Sequence, residues 1–350
     1  MNLICLECGR KYPDRIRLTC NCGGVLDSEK KFNRSFEENL NRDKLDVRRY
    51  SEFLPIDDEF RSDLAPPITP TIEKNIQSVQ VLFKLEYLMP SGSFKDRGTY
   101  ATMAKLKEEG IDEVCLDSSG NAAISLALYG KSEGVKTHIF IPSNIGSGKK
   151  RILNKLASEV HEVSGTRMEV HERALRFKNA FYVSHWYNPF FLEGTKICAY
   201  EVAEEKEVDR VLVPTGSGTL FLGMYKGFSE IFEFGLLDEE PQMIAVEAKG
   251  YESLADMSSE KSELSSGVEI IKPPRTDQMR DVLENTAGFS TSVDDDRIER
   301  AKEELLSMGF LVETTSAMAF AAFLDLLEKD EFDEEERVLI PLTGSGLKSL

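Results

Sequence analysis

From Val79 onward, short apolar runs rich in β-branched residues alternate with amphipathic stretches of helical period, and that alternation leaves few folds open. Runs that read as strands fall at Val79–Leu85, Glu113–Leu116, Thr137–Ile141, Glu159–Val163, Arg210–Pro214, Met243–Ala248 and Val338–Leu342. Helical patterns separate them at Lys95–Glu109, Ala122–Glu133, Lys149–Ser158, Leu220–Phe232, Asp295–Met308 and Ser316–Leu327. A strand–helix–strand succession of this kind builds parallel sheets covered by helices, an α/β class. The 350 residues leave room for about two domains. Ser253–Pro274, rich in Ser and Glu, reads as an exposed excursion with little core of its own.

Charge narrows the partners. With 43 basic against 61 acidic residues the net charge is −18, which repels nucleic-acid backbones and anionic bilayers. No run approaches the roughly 20 apolar residues of a membrane span, and the opening MNLICLECGRKYPDR lacks a signal-peptide core. The expectation is a cytoplasmic protein that binds neither nucleic acid nor membrane. Four of the six cysteines crowd the first 22 residues as C-x2-C-x11-C-x-C: Cys5, Cys8, Cys20 and Cys22. In a cytosolic chain such thiols read as metal ligands rather than disulfides, and Cys115 and Cys198 as buried thiols. His138, His161, His171 and His185 show no paired metal spacing; His138 reads as core or strand edge and the others as surface.

Function in such folds resides in the loops beyond the strand ends. Four stand out. Pro90–Gly98 (PSGSFKDRG) places Lys95 at the mouth of a helix, where the dipole disfavours an ammonium and favours the neutral, nucleophilic amine; a solvated first-turn lysine is the plainer reading. Asp117–Ala122 (DSSGNA) combines hydroxyls, an amide and helix-start N–H groups, a set suited to a carboxylate, with simple N-capping as the rival. Pro214–Leu220 (PTGSGTL) is a strand, a glycine-rich turn and a helix start, which can hold a phosphate without a cation. Pro341–Lys348 (PLTGSGLK) brings a tight hydroxyl-bearing turn close to the last residue of the sequence.

Thr69-Pro70-Thr71, Ser93–Gly98, Ser119-Gly120-Asn121, Gly216–Thr219 and Leu342–Lys348 occur in that order, and together they resemble the threonine synthases. More broadly they resemble the pyridoxal-phosphate enzymes of the tryptophan synthase β-subunit fold. The likeness spans residues 65 to 350. It implies a two-domain, three-layer αβα fold, with a zinc-ribbon-like segment at 1–29. A large cofactor-binding domain would comprise 30–90 and 188–350, and a small domain 91–187.

The resemblance also implies roles. Lys95 would carry pyridoxal 5′-phosphate as a Schiff base and then move substrate protons. Gly216, Ser217, Gly218 and Thr219 would hold the cofactor phosphate, Asn121 would lie beside the ring oxygen, and Thr343 would face the pyridine nitrogen. Ser118, Ser119, Gly120 and Ala122 would receive the substrate carboxylate, with Ser316 nearby in a stretch, Glu313–Ala317, that resembles the family's Glu-Pro-Ala-Ser-Ala. Cys5, Cys8, Cys20 and Cys22 would hold a structural zinc, and the chain would form a homodimer. Two positions depart from the family: Phe191 stands where an Arg for the substrate phosphate is expected, and Ala122 where a Thr is usual. Lys149, Lys150 and Arg151 are the substitutes in view. The implied activity is a lyase acting on a small amino acid. Threonine synthesis from O-phospho-homoserine leads, with a serine/threonine dehydratase, a β-replacement enzyme on O-phosphoserine, or a non-catalytic scaffold as alternatives.

Overall fold

The structure is a computed structural model that describes residues 2–29, 35–265 and 267–349. It divides into two compact units, one of residues 1–67, 95–194 and 348–350 and another of 68–94 and 195–347. The expected boundary after residue 29 borders residues 30–34, which lie outside the described residues.

The first unit contains a small antiparallel sheet in the order Lys11–Pro13, Asn2–Cys5, Leu26–Glu29. Its larger sheet is wholly parallel, in the order Glu159–Val163, Lys136–Pro142, Glu113–Asp117, Phe181–Tyr182. Cys115 and Phe140 share one face of that sheet, and the helix Arg167–Leu175 covers it with Val170 and Ala174. Residues 35–67, expected in the large domain, cluster here instead. Ser62 explains part of this, being buried with its hydroxyl bonded to Glu133 at the end of the helix Asn121–Glu133. Residues 188–194 also belong here; Asn188 donates to Thr102 at 2.9 Å, and Ser28 bonds Glu193.

The second unit is built on a six-stranded sheet ordered Phe289–Val293, Gln242–Ala248, Arg210–Pro214, Arg337–Pro341, Val79–Lys84, Thr71–Ile76. All pairings are parallel except the last, where the polar, largely exposed Thr71–Ile76 runs antiparallel. Strands covered on both faces read as continuous apolar runs. Val211–Pro214 and Val338–Pro341 are accordingly buried throughout. The helix Thr314–Leu327 buries every residue from Ser316 to Phe323, and Phe83 packs on Phe310 and Phe320 at 5.0 and 5.6 Å between ring centres. The excursion at Ser253–Pro274 is less peripheral than its composition implies, because Ser262, Ser265 and Val268 are buried.

This unit also buries an ionic cluster. Lys84 Nζ lies 2.8 Å from Glu201 Oε2 and donates to the Thr69 carbonyl at 2.6 Å. Thr69 in turn donates its N–H to Glu201 at 3.1 Å and its hydroxyl to Glu86 at 2.8 Å.

Candidate active site

In the second unit the strands Arg210–Pro214, Arg337–Pro341 and Val79–Lys84 lie side by side, so the loops at their carboxyl ends are neighbours by topology. After the first of these comes the turn Thr215–Gly218, opening the 15-residue helix Thr219–Glu233. Gly218, the N-cap, has φ 77° and makes no side-chain cap. A Cβ there would stand 2.4 Å from Met279 Sδ, and one on Gly216 would stand 2.7 Å from Val268 Cα. Ser217 and Thr219 are buried, their hydroxyls 3.2 Å apart. Two buried hydroxyls at an uncapped helix start, on backbone too close-packed for any larger residue, fit a phosphate group. Gly216→Ala is therefore expected to weaken cofactor retention by about 5- to 150-fold, the equivalent of the 1–3 kcal/mol of an overpacked site. Cofactor absorbance after dialysis measures it.

After the strand Arg337–Pro341, Thr343 is buried with its hydroxyl 2.9 Å from that of Ser316. Ser316 accepts from Gly344 N–H at 2.8 Å, so one side chain fixes both the turn and the hydroxyl expected to face the pyridine nitrogen. The same turn anchors the loop before Lys95: Phe94 N–H donates to Thr343 O at 3.0 Å, and Ser345 N–H to Gly92 O at 2.9 Å.

Within the first unit, Lys95 is the first residue of the helix Lys95–Glu108, half-buried, with Nζ 5.8 Å from the centre of the Phe191 ring. The loop Ser118–Gly120 leaves the end of the strand Glu113–Asp117 and opens the helix Asn121–Glu133. Its N-cap is Gly120, which makes no side-chain cap, and Ser118 Oγ accepts from Gly120 N–H at 3.3 Å. Capping by Ser therefore does not account for the hydroxyls in this loop. Asn121 Oδ1 accepts from Lys348 Nζ at 2.6 Å, which orients the amide and makes Nδ2 the donor on its other branch.

The sequence reading gave no site role to three of the residues that shape this region. Asp117 is buried and accepts from Arg167 at 2.6 Å, His171 at 3.0 Å and the Tyr182 hydroxyl. Burial pushes its carboxyl up, but His171, Arg167 and Tyr182 outweigh burial and hold it below the usual range. The signal was there: Arg167 and His171 are four apart on one helix. Lys348, which holds Asn121, was the second. The third is His185, whose Nδ1 is buried and makes no hydrogen bond.

His185 lines a cavity of about 10 Å³ with Thr99, Thr102, Leu116, Ala122, Val183 and Phe191. Ala122 and Phe191, the two positions expected to differ from the family, thus line one apolar cavity. Burial first, then the Lys95 charge, hold the His185 imidazole well below its usual pKa, so it is neutral at neutral pH. A histidine whose folded pKa is depressed gives stability that is complete above the unfolded value, about 6.5, and lost as pH falls below it. Melting temperature should accordingly fall between about pH 7.5 and about pH 5, and less so in His185→Gln.

At the N-terminus Cys5, Cys8, Cys20 and Cys22 converge. The Cys5–Cys22, Cys8–Cys20 and Cys8–Cys22 sulfur pairs each stand 3.6 Å apart, too long for disulfides. They match the roughly 3.7–3.8 Å between thiolates on a tetrahedral zinc with bonds of about 2.3 Å. The Cys20 thiol is drawn down to about 6, first by the Cys22 backbone N–H and then by the Tyr12 hydroxyl, 3.0 Å away. Of the three basic residues considered for a substrate phosphate, Lys150 is already 2.7 Å from Glu162.

This chain is similar to known proteins over nearly all of its length. Threonine synthase of Methanocaldococcus jannaschii is 30% identical over 98% of this chain and 92% of its own length. Threonine synthase of Methanosarcina acetivorans is 27% identical over 99% and 92%. Among solved structures, threonine deaminase isoform 2 of Solanum lycopersicum superposes with a TM-score of 0.71 at 22% identity, covering 80% of each chain. O-acetylserine-dependent cystathionine β-synthase of Helicobacter pylori superposes at 0.66 and 23%, covering 81% of this chain and 94% of its own. At those identities the structural likeness shows the shared fold. No helix among the described residues is long and apolar enough to cross a membrane. Residues 65–344 match the family described as pyridoxal-phosphate dependent enzyme, and the chain belongs to that family.

Proposed function

We propose that this chain is a lyase that converts O-phospho-homoserine and water to threonine and phosphate. The observation that carries the reading is the match to two threonine synthases over 98% and 99% of the chain. When bound, pyridoxal phosphate supplies an electron-withdrawing ring that stabilises negative charge beside the substrate nitrogen. Lys95 Nζ holds the cofactor and then takes and returns substrate protons. Gly216, Ser217, Gly218 and Thr219 would hold the cofactor phosphate, and Asn121, with Oδ1 taken by Lys348, would offer Nδ2 to the ring oxygen.

Thr343, held by Ser316, would face the pyridine nitrogen with its hydroxyl. A hydroxyl cannot stabilise a protonated ring nitrogen as a carboxylate does, which would favour elimination or replacement over transamination. Ser118, Ser119, Gly120 and Ala122 receive the substrate carboxylate, with Asp117 bracing the loop from behind. For the substrate phosphate the proposed cation is Lys149. It follows Gly148, where a Cβ would lie 3.8 Å from the carbonyl of Lys348, the residue that holds Asn121.

The finer expectations belong to the same proposal: 1–29 as a zinc ribbon, the large and small domains of the tryptophan synthase β-subunit type, and a cytoplasmic homodimer. The 3.6 Å sulfur spacing supports the ribbon. One zinc per chain is expected by elemental analysis after dialysis; none per chain contradicts the ribbon. Sedimentation of the purified protein reads the dimer.

A second reading, a serine/threonine dehydratase, is favoured by Ala122 and Phe191, neither of which offers a side-chain donor to a substrate phosphate. Supplying O-phospho-homoserine, threonine, serine and O-phosphoserine in turn decides between them. The first reading expects equimolar threonine and phosphate from O-phospho-homoserine. Ammonia and a 2-oxo acid from threonine or serine point to the second, and turnover of O-phosphoserine only with an added nucleophile marks a replacement enzyme. Bound cofactor with no turnover of any substrate points to a scaffold.

A further inference from the structure

We propose that the first unit carries a metal site away from the cofactor region, in which His138 Nδ1, His161 Nε2 and one carboxylate oxygen of Glu159 bind a divalent cation of the zinc–cobalt–nickel class. Sheet register brings these residues together. His138 lies on Lys136–Pro142, and Glu159 and His161 lie on the neighbouring parallel strand Glu159–Val163. His138 pairs with Glu159 and Phe140 with His161, so the period of two puts all four on one face. The two histidines are 23 positions apart in the chain, which is why sequence spacing is silent here.

The distances suit tetrahedral coordination. His138 Nδ1 is 3.2 Å from His161 Nε2 and 3.4 Å from Glu159 Oε2. One ligand atom from each of the three side chains lies within 4.8 Å of the other two, and Glu159 Oε1 stands 3.7 Å from His161 Nδ1. A tetrahedral ion with nitrogen and oxygen ligands at about 2.0–2.1 Å separates neighbouring ligand atoms by about 3.3–3.4 Å. The next layer is also in place. Glu113 Oε1 stands 2.8 Å from His138 Nε2. A carboxylate only accepts, so Nε2 bears the proton and Nδ1 turns its lone pair towards His161, the arrangement that orients metal-bound histidines.

Aromatic rings enclose the imidazoles. Phe140 stacks on His161 with ring centres 4.3 Å apart, and Phe177 lies 4.7 Å from His138 and 5.3 Å from His161. Glu159 is the exposed member and opens the fourth position to solvent. With imidazole and carboxylate donors and no thiolate, the set selects borderline first-row ions over calcium or magnesium. Glu113 and Glu159 are the first residues of their strands, whereas the loop Ser118–Ala122 follows the opposite strand end, so the site is separate from the carboxylate loop. Its consequence is mechanical: it ties the edge strand Glu159–Val163 to its neighbour.

The test is cobalt(II) titration of the full-length, cofactor-loaded protein, in the natural chain and in Cys8→Ser/Cys22→Ser. The proposal expects the double variant to bind one cobalt per chain with visible absorption but no sulfur charge-transfer band. Glu113→Gln should weaken that binding about 10- to 100-fold, as lost outer partners do, and His161→Gln by at least as much. In the natural chain, His161→Gln should remove one metal per chain from a zinc-loaded, dialysed sample, so the test survives if the double variant fails to fold. Absence of cobalt binding in a folded double variant overturns the proposal. So does binding unmoved by both His161→Gln and Glu159→Gln.

Discussion

Lys95→Ala is expected to lower kcat by about 10²–10⁴-fold or more, since it removes both the cofactor's anchor and the acid–base group. The argument rests on position more than on a tuned charge. A helix N-terminus disfavours an ammonium by about 0.3–1 kcal/mol. The Phe191 ring 5.8 Å from Nζ favours the cation by a similar amount, about 0.5–1 kcal/mol. The two offset each other, so the dipole that the sequence points to does not by itself make Lys95 nucleophilic. What singles it out is its place directly after Phe94, whose N–H is tied to Thr343 at the hydroxyl-bearing turn. Steady-state rates with and without a small primary amine make the check. The account predicts a loss in kcat that the free amine partly restores; a variant keeping more than about a tenth of the activity contradicts it.

Lys84→Met should be the most damaging single change to stability. Lys84 and Glu201 are fully buried 2.8 Å apart, and Glu86 is buried beside the same threonine. Removing one partner of such a pair leaves an uncompensated charge and costs about 3–5 kcal/mol. At about 2–4 °C per kcal/mol, the melting temperature of the second unit falls by roughly 6–20 °C. Lys84→Met/Glu201→Gln should recover part of the loss, because the orphaned carboxylate is gone. A single variant melting within about 2 °C of the natural protein contradicts this reading. The network also braces Thr69, the residue before Pro70.

Local chemistry was legible in the sequence; long-range pairing was not. The strand–turn–helix at Pro214–Thr219 and the start at Asn121 fall within a residue or two of where apolar period and glycines put them. The apolar helix read at Ser316–Leu327 is the core helix Thr314–Leu327. By contrast, Asn121 finds Lys348 across 227 residues and Asp117 finds Tyr182 across 65, and no local period encodes such partners. The edge strand Thr71–Ile76 escaped because its pattern is polar on an antiparallel edge rather than apolar in a parallel core. Residues 35–67 escaped because charge and weak periodicity conceal a few decisive buried groups such as Ser62, Val47 and Phe53.

The central claim is that one amine carries the cofactor. Borohydride reduction of the holoprotein, followed by proteolysis and mass mapping, tests it most directly. The account predicts a single pyridoxyl label per chain, on the peptide that contains Lys95. A label on any other lysine, or a yellow protein that reduction leaves unlabelled, contradicts it.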